Sequence, residues 1–133
     1  MKDPAQSRFA RPSVTGHSSK EPKMESLRLT DDQSKAVQQT PNRVSLDSMI
    51  DKIAGEYFTT LDKAHDGSPI IGGMEVMTIC TLVMRNGFIV IGKSAPADPA
   101  NFNPELGRKF AREDAIRQLW PLEGYALREK LAS

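Results

Sequence analysis

The stretch Val76-Met77-Thr78-Ile79-Cys80-Thr81-Leu82-Val83-Met84, then Arg85-Asn86-Gly87-Phe88, then Ile89-Val90-Ile91-Gly92, decides the fold. Val76–Met84 is apolar and suits a pleated strand. Asn86-Gly87 is a strong short-range hairpin signal, and Phe88–Ile91 is the return strand. In the first strand Ile79, Thr81 and Val83 point one way, while Thr78, Cys80, Leu82 and Met84 point the other. The return strand is apolar on both sides. A two-stranded ribbon with two apolar faces is not stable alone in water. One face therefore takes helices. The other calls for more protein, and a second subunit is the economical supply. Gly92 reads as a bend or bulge at the strand's end.

Toward the C-terminus, residues 93–102 form a loop containing Pro96 and Pro99. Asn103 then caps a helix, Pro104 takes its first position, and Glu105 lies near the positive end of its dipole. Leu106, Phe110, Ala111, Ala115, Leu119 and Leu122 make its buried stripe, with Ile116 at the edge. Arg108, Lys109, Arg112, Glu113 and Arg117 are expected in solvent. Pro121 predicts a kink or a new helix start, with Leu122–Ala132 as a short terminal helix.

Toward the N-terminus, residues 60–73 read as a loop broken by Asp66-Gly67-Ser68-Pro69 and Gly72-Gly73. Ser45 is the cap of a preceding helix whose core face is Leu46, Met49, Ile50, Ile53 and Ala54. Gly55 weakens its end, and Tyr57-Phe58 follows. Thr30-Asp31-Asp32-Gln33 matches a capping box for a short helix over Asp31–Gln39, ended by Pro41. Met1–Lys23 reads as a flexible tail. The division expected is a tail over residues 1–40 with a possible short helix, then one α+β domain over 41–133.

Hydrophobic residues make up 38% of the 133. Mean hydropathy is −0.45. The shortfall lies in the first third, where Pro4, Pro12, Pro22 and Pro41 fall among many Ser and Gln residues and little can be buried. About 90 residues remain for a core, a size that is marginal alone and favours an oligomer. Residues 1–44 carry 8 Lys/Arg and 5 Asp/Glu, and residues 45–133 carry 10 and 12. Neither half is a strong nucleic-acid footprint. The lone Cys80 excludes an intrachain disulfide and fits a reducing compartment. With only His17 and His65 beside it, no Cys/His metal cluster can form, so no metal and no cofactor are expected. There is no apolar leader at the N-terminus, no run long enough to span a membrane, no nucleotide-binding loop of the P-loop kind and no dinucleotide fingerprint.

Several strings resemble a known family. They are Asn86-Gly87-Phe88, Gly92-Lys93-Ser94-Ala95, Asp98-Pro99-Ala100-Asn101-Phe102, Gly107-Arg108-Lys109, and Ile116 through Trp120-Pro121-Leu122-Glu123-Gly124-Tyr125. Upstream, Arg43-Val44-Ser45 and Tyr57-Phe58-Thr59 fit as well. Over roughly residues 41–132 the chain resembles a family of small proteins from tailed phages and prophages of Gram-negative bacteria. The resemblance implies a phage accessory protein acting in the host bacterial cytoplasm. It carries no catalytic residue or cofactor with it.

The residues offer little for catalysis. Cys80 sits mid-strand as a small core residue. His65 lies between Asp62 and Asp66 in a loop, short of the ligands a metal needs. Asp31/Asp32 and Asp47/Asp51 suit helix N-termini, and Glu113 to Arg117 is an ordinary i,i+4 pair. The best site candidate is an anion pocket at the start of the Pro104 helix, formed by Lys93, Ser94, Asn101, Arg108 and Arg112 and suited to a nucleotide-like anion; the same groups also read as a solvated basic face neutralised by Glu105 and Glu113. Trp120, Pro121 and Tyr125 form an aromatic knot for packing or stacking.

The reading is therefore an α+β domain: an antiparallel β-hairpin on C-terminal helices, with one preceding helix and a disordered N-terminal tail. The expected function is a non-enzymatic, homo-oligomeric phage accessory protein. It would bind a nucleotide-like anion or a host protein in host takeover or counter-defence, away from any membrane. The alternative is a nucleic-acid-binding accessory protein that uses its basic tail and the Arg108/Arg112 face.

Overall fold

Gly87 has φ 91°, a left-handed conformation that glycine adopts without strain. It closes the hairpin with two backbone bonds: its amide donates to the Met84 carbonyl at 2.9 Å, and the Met84 amide donates to the Phe88 carbonyl at 2.8 Å. Asn86 Oδ1 accepts the Phe88 amide at 2.9 Å. This is a three-residue turn ending in a left-handed glycine, one of the common hairpin connections.

The structure is a computed structural model that describes residues 22–133, with side chains from Ser26 onward. The tail expected over Met1–Lys23 lies, through residue 21, outside the described residues. The elements are α1 (Pro22–Ala36), α2 (Leu46–Asp51), β1 (Ile53–Thr60), β2 (Thr78–Met84), β3 (Ile89–Ser94) and α3 (Pro104–Ala132), with short 3₁₀ turns at Leu61–Lys63, Met74–Val76 and Pro99–Asn101. The three strands form one antiparallel sheet in the order β1-β2-β3. The hairpin and the Asn103-capped helix stand where the sequence puts them; Asn103 Oδ1 accepts the Leu106 amide at 3.1 Å.

β1 is a strand the sequence reading missed. The helix capped by Ser45 ends at Asp51, and Ile53 and Ala54 belong to the strand. Lys52 joins the two, and the pairing of β1 with β2 is irregular between Ile53 and Gly55. The strand signal is the β-prone run Tyr57-Phe58-Thr59-Thr60, which the helical spacing of Ile50, Ile53 and Ala54 masked.

The helix expected over Asp31–Gln39 is α1, over Pro22–Ala36, so Thr30 and Gln33 lie inside it and cap nothing. Leu27 anchors it in the core. Asp31 is buried, and its Oδ1 accepts the Leu46 amide at 3.1 Å and Arg43 Nη1 at 2.7 Å. α1 is thereby pinned to the start of α2.

α3 lies across the inner face of the sheet and runs as one helix through Pro121, where the sequence predicts a kink or restart. Cys80, Leu82, Met84 and Val90 meet Ala111, Ala115, Ile116 and Leu119 there, with Leu46 and Met49 from α2. α1 and α2 also pack on α3. The helix is therefore covered on two sides, and its buried arc is wider than one stripe. Glu113, expected in solvent, is fully buried and accepts Arg117 Nη2 at 2.6 Å. Leu122, expected in the stripe, is exposed. Gly92 marks neither bend nor bulge: a side chain there would collide with the Ala111 carbonyl and the Ala115 amide, so it is the point of closest approach of α3.

Candidate functional site

Strand register sorts the sheet's side chains onto two faces. The inner face holds Thr78, Cys80, Leu82 and Met84 of β2, with Val90 and Gly92 of β3 and Glu56 and Phe58 of β1. The outer face is a lattice of three rows: Gly55, Val83 and Ile89; Tyr57, Thr81 and Ile91; Thr59, Ile79 and Lys93. No helix of the fold covers it among the described residues. Tyr57 is 62% exposed, Ile89 53% and Ile91 54%, and Phe88 adjoins them at the turn. Ile79, Thr81 and Val83 are half-buried by their neighbours in the central strand. Lys93, at a corner, is the lattice's only ionisable side chain apart from the Tyr57 phenol. The exposed apolar side chains of this face cluster around Tyr57, Ile89 and Ile91.

The β3 edge is not equally open. Asp114 Oδ2 accepts the Lys93 amide at 3.0 Å, and Gln118 Nε2 donates to the Ile91 carbonyl at 2.7 Å. Two side chains of α3 thus occupy backbone groups that an added strand would need.

Of the residues expected to form an anion pocket, Lys93 and Arg112 point to other tasks. Lys93 sits on the outer face with Ile89 and Ile91, whereas α3 lies on the inner one. Ser94, at the end of β3, is half-buried, and Asn101 is exposed in the Pro99–Asn101 turn. Arg112 crosses to β1, where Nε and Nη2 each lie 2.9 Å from Glu56 Oε2; both side chains are 18% exposed. Arg112 therefore ties α3 to the sheet. Arg108 is half-buried on α3. The expected aromatic knot is also split. Trp120 packs on the core and donates to the Val44 carbonyl at 3.3 Å, whereas Pro121 and Tyr125 are exposed.

The other candidate groups have structural tasks. Cys80 is sealed in the core, and its thiol is pushed up to about 12, first by burial and then by the Glu56 carboxylate, with Arg112 opposing. His65 Nδ1 accepts the Gly67 amide at 3.0 Å. Hydrogen bonds from the Ser68 backbone and side chain hold the Asp66 carboxyl below its usual range. Asp47 pairs with Arg28 at 2.8 Å. Among the described residues no group of three His, Cys, Asp or Glu side chains could hold a metal ion. No helix among them is long and apolar enough to cross a membrane.

Sequence reasoning foresaw the apolar second face of the hairpin but not Tyr57 as part of it. The Tyr57-to-Thr81 pairing needs β1, which is joined to β2 only across a long loop. With this geometry in place, comparison with known proteins adds one finding. The model of the family described as Phage protein (N4 Gp49/phage Sf6 gene 66) matches residues 44–131. No curated protein and no solved structure matches the chain.

Proposed function

We propose that this chain, which belongs to the phage protein family matched over residues 44–131, is a non-enzymatic accessory protein that works by docking a protein surface on the outer face of its sheet. The observation that carries this reading is the open lattice around Tyr57, Ile89 and Ile91. Burying it removes apolar area from water at about 25 cal/mol per Å². A phage accessory protein acts inside the host bacterium, and the proposed setting is its cytoplasm, in host takeover or counter-defence.

Arg112 speaks against a nucleotide-like anion as the ligand, because its guanidinium is engaged by Glu56 on the inner side of the fold. The outer face has the opposite character: it is nearly neutral, broad and apolar, and suits another protein surface better than a phosphate.

The test is site-specific photo-crosslinking in phage-carrying cells. A photoreactive residue at Ile91 is expected to give a discrete protein adduct. The same residue at Arg128, exposed near the C-terminus of α3, is expected to give none. No adduct at position 91, or equal adducts at both positions, would overturn the reading.

A further inference from the structure

We infer that the open edge of β1 pairs antiparallel with the same edge of a second copy of this chain, so that two three-stranded sheets join into one. This edge is a surface distinct from the outer face. The first observation is the direction of its backbone groups. The Leu61 amide donates to the Met77 carbonyl at 2.9 Å, one step past the end of the β1–β2 ladder. Bonded residues alternate along an antiparallel ladder. Thr59, Tyr57 and Gly55 therefore turn their amides and carbonyls toward β2, and Glu56, Phe58 and Thr60 turn theirs outward. Among the described residues, the outward groups of Glu56 and Phe58 have no hydrogen-bond partner, and the Thr60 carbonyl accepts the Thr59 hydroxyl at 3.3 Å.

The two edges of the sheet differ. On β3, Asp114 holds the Lys93 amide and Gln118 holds the Ile91 carbonyl. Ile53–Thr60 has no such guard. It contains neither Pro nor Lys, the residues that blunt an edge, and its one charge, Glu56, is tied to Arg112. Pairing β1 with β3 of the next copy would build an open fibre, and the guarded β3 edge opposes it. Pairing β1 with β1 about a two-fold axis closes at two copies. α3 packs mainly on β2 and β3, so the long helices stay apart when two β1 edges meet.

A foreign strand offers the same backbone groups, so the side chains make the choice of a second copy. The regular part of β1 begins after the irregularity between Ile53 and Gly55, and Phe58 is the middle of its outward residues. With Phe58 facing Phe58 of the second copy, Glu56 faces Thr60 and Tyr57 faces Thr59. No like charges meet, and an aromatic beside a β-branched residue is a favourable cross-strand pair. Centring the axis on Thr59 instead sets Glu56 against Asp62, and centring it on Tyr57 runs the ladder into the irregular stretch. Residues 56–60 are thus complementary to themselves in one register. Strand addition of this kind draws its affinity from main-chain bonds, not from a large buried area.

The register sets the test. Tyr57 and Thr59 of the second copy form a non-hydrogen-bonded pair with Cα atoms about 4.5 Å apart, within disulfide reach, whereas two copies of Tyr57 lie diagonally at roughly 7–8 Å. In sedimentation velocity the full-length wild type is expected to move from 14.7 kDa toward twice that mass as concentration rises. Under oxidising conditions, Tyr57→Cys mixed with Thr59→Cys is expected to give at least about ten-fold more linked dimer than either variant alone, or than Ile91→Cys mixed with Thr59→Cys. Circular dichroism checks that each variant folds. Should one misfold, amide exchange of the wild type answers instead: the Glu56 and Phe58 amides are expected to slow about ten-fold from dilute to concentrated protein. A wild type that stays monomeric at the highest concentration, or linkage that is equal in all mixtures, would overturn the inference. So would Glu56 and Phe58 amides already protected in the monomer, which would place another part of the chain on the edge.

Discussion

Gly92 on β3 lies directly beneath Ala111 on α3, so close that a methyl group on Gly92 would meet the Ala111 carbonyl, with the Ala115 methyl 2.9 Å away. The blocking atoms include helix backbone, which cannot swing aside as a flexible side chain can. Gly92→Ala should therefore lift α3 from the sheet and cost about 3 kcal/mol or more. Urea denaturation measures the loss; a change below about 1 kcal/mol would show that the helix is free to shift.

Glu56 and Arg112 form the ionic tie between β1 and α3. Both side chains are mostly covered, so removing one strands the other. Arg112→Ala is expected to cost about 2 kcal/mol of unfolding free energy. The double change Glu56→Leu with Arg112→Met should recover most of it, because no charge is left without its partner. A double variant as unstable as the single one would contradict a structural role for the pair.

The legible parts of the fold carried their signals locally. Asn86-Gly87 and Asn103-Pro104 each announce a boundary within a few residues, and the hairpin and α3 followed. β1 was hidden because its partner β2 lies beyond a long loop, while Ile50, Ile53 and Ala54 keep helical spacing up to the break. Arg112 and Glu113 were placed in solvent because they are charged. Only the tertiary arrangement, with the sheet on one side of α3 and α1 and α2 on another, shows that both are covered. The outer face was half legible: the β-hairpin showed its second apolar side, but not the Tyr57 row that widens it.

Among the described residues, Leu27, Arg28 and Asp31 hold α1 to the domain, which makes its attachment easy to test. Leu27→Ala should cost about 2–3 kcal/mol, the range for emptying a buried leucine site. Asp31→Ala should cost about 1–3 kcal/mol, because the Leu46 amide and Arg43 both lose their acceptor. Chemical denaturation of the two variants checks this. No effect from either would place α1 outside the cooperative unit.

Cys80 gives the protein a defined alkaline limit. In the unfolded chain the thiol loses its proton near its ordinary value of 9.0, whereas the folded protein keeps it until about 12. The stabilisation is thus complete below pH 9 and is lost as pH rises toward 12, by at most about 1.4 kcal/mol per pH unit. Cys80→Ala should flatten this part of the stability curve relative to the wild type. Parallel curves for the two proteins would contradict it. The native thiol should also resist disulfide reagents at pH 8, because it is buried and protonated there.

The central claim is that the outer face of the sheet is covered when the protein works, and the chain's two tyrosines test it most directly. Tyr57 on that face is 62% exposed in the isolated chain, and Tyr125 on α3 is 69% exposed, so a free monomer labels them alike. Hydroxyl-radical footprinting of the protein in phage-carrying cells should find Tyr57 protected and Tyr125 modified. Equal modification of both would mean that the face stays open to water, and the account would fail.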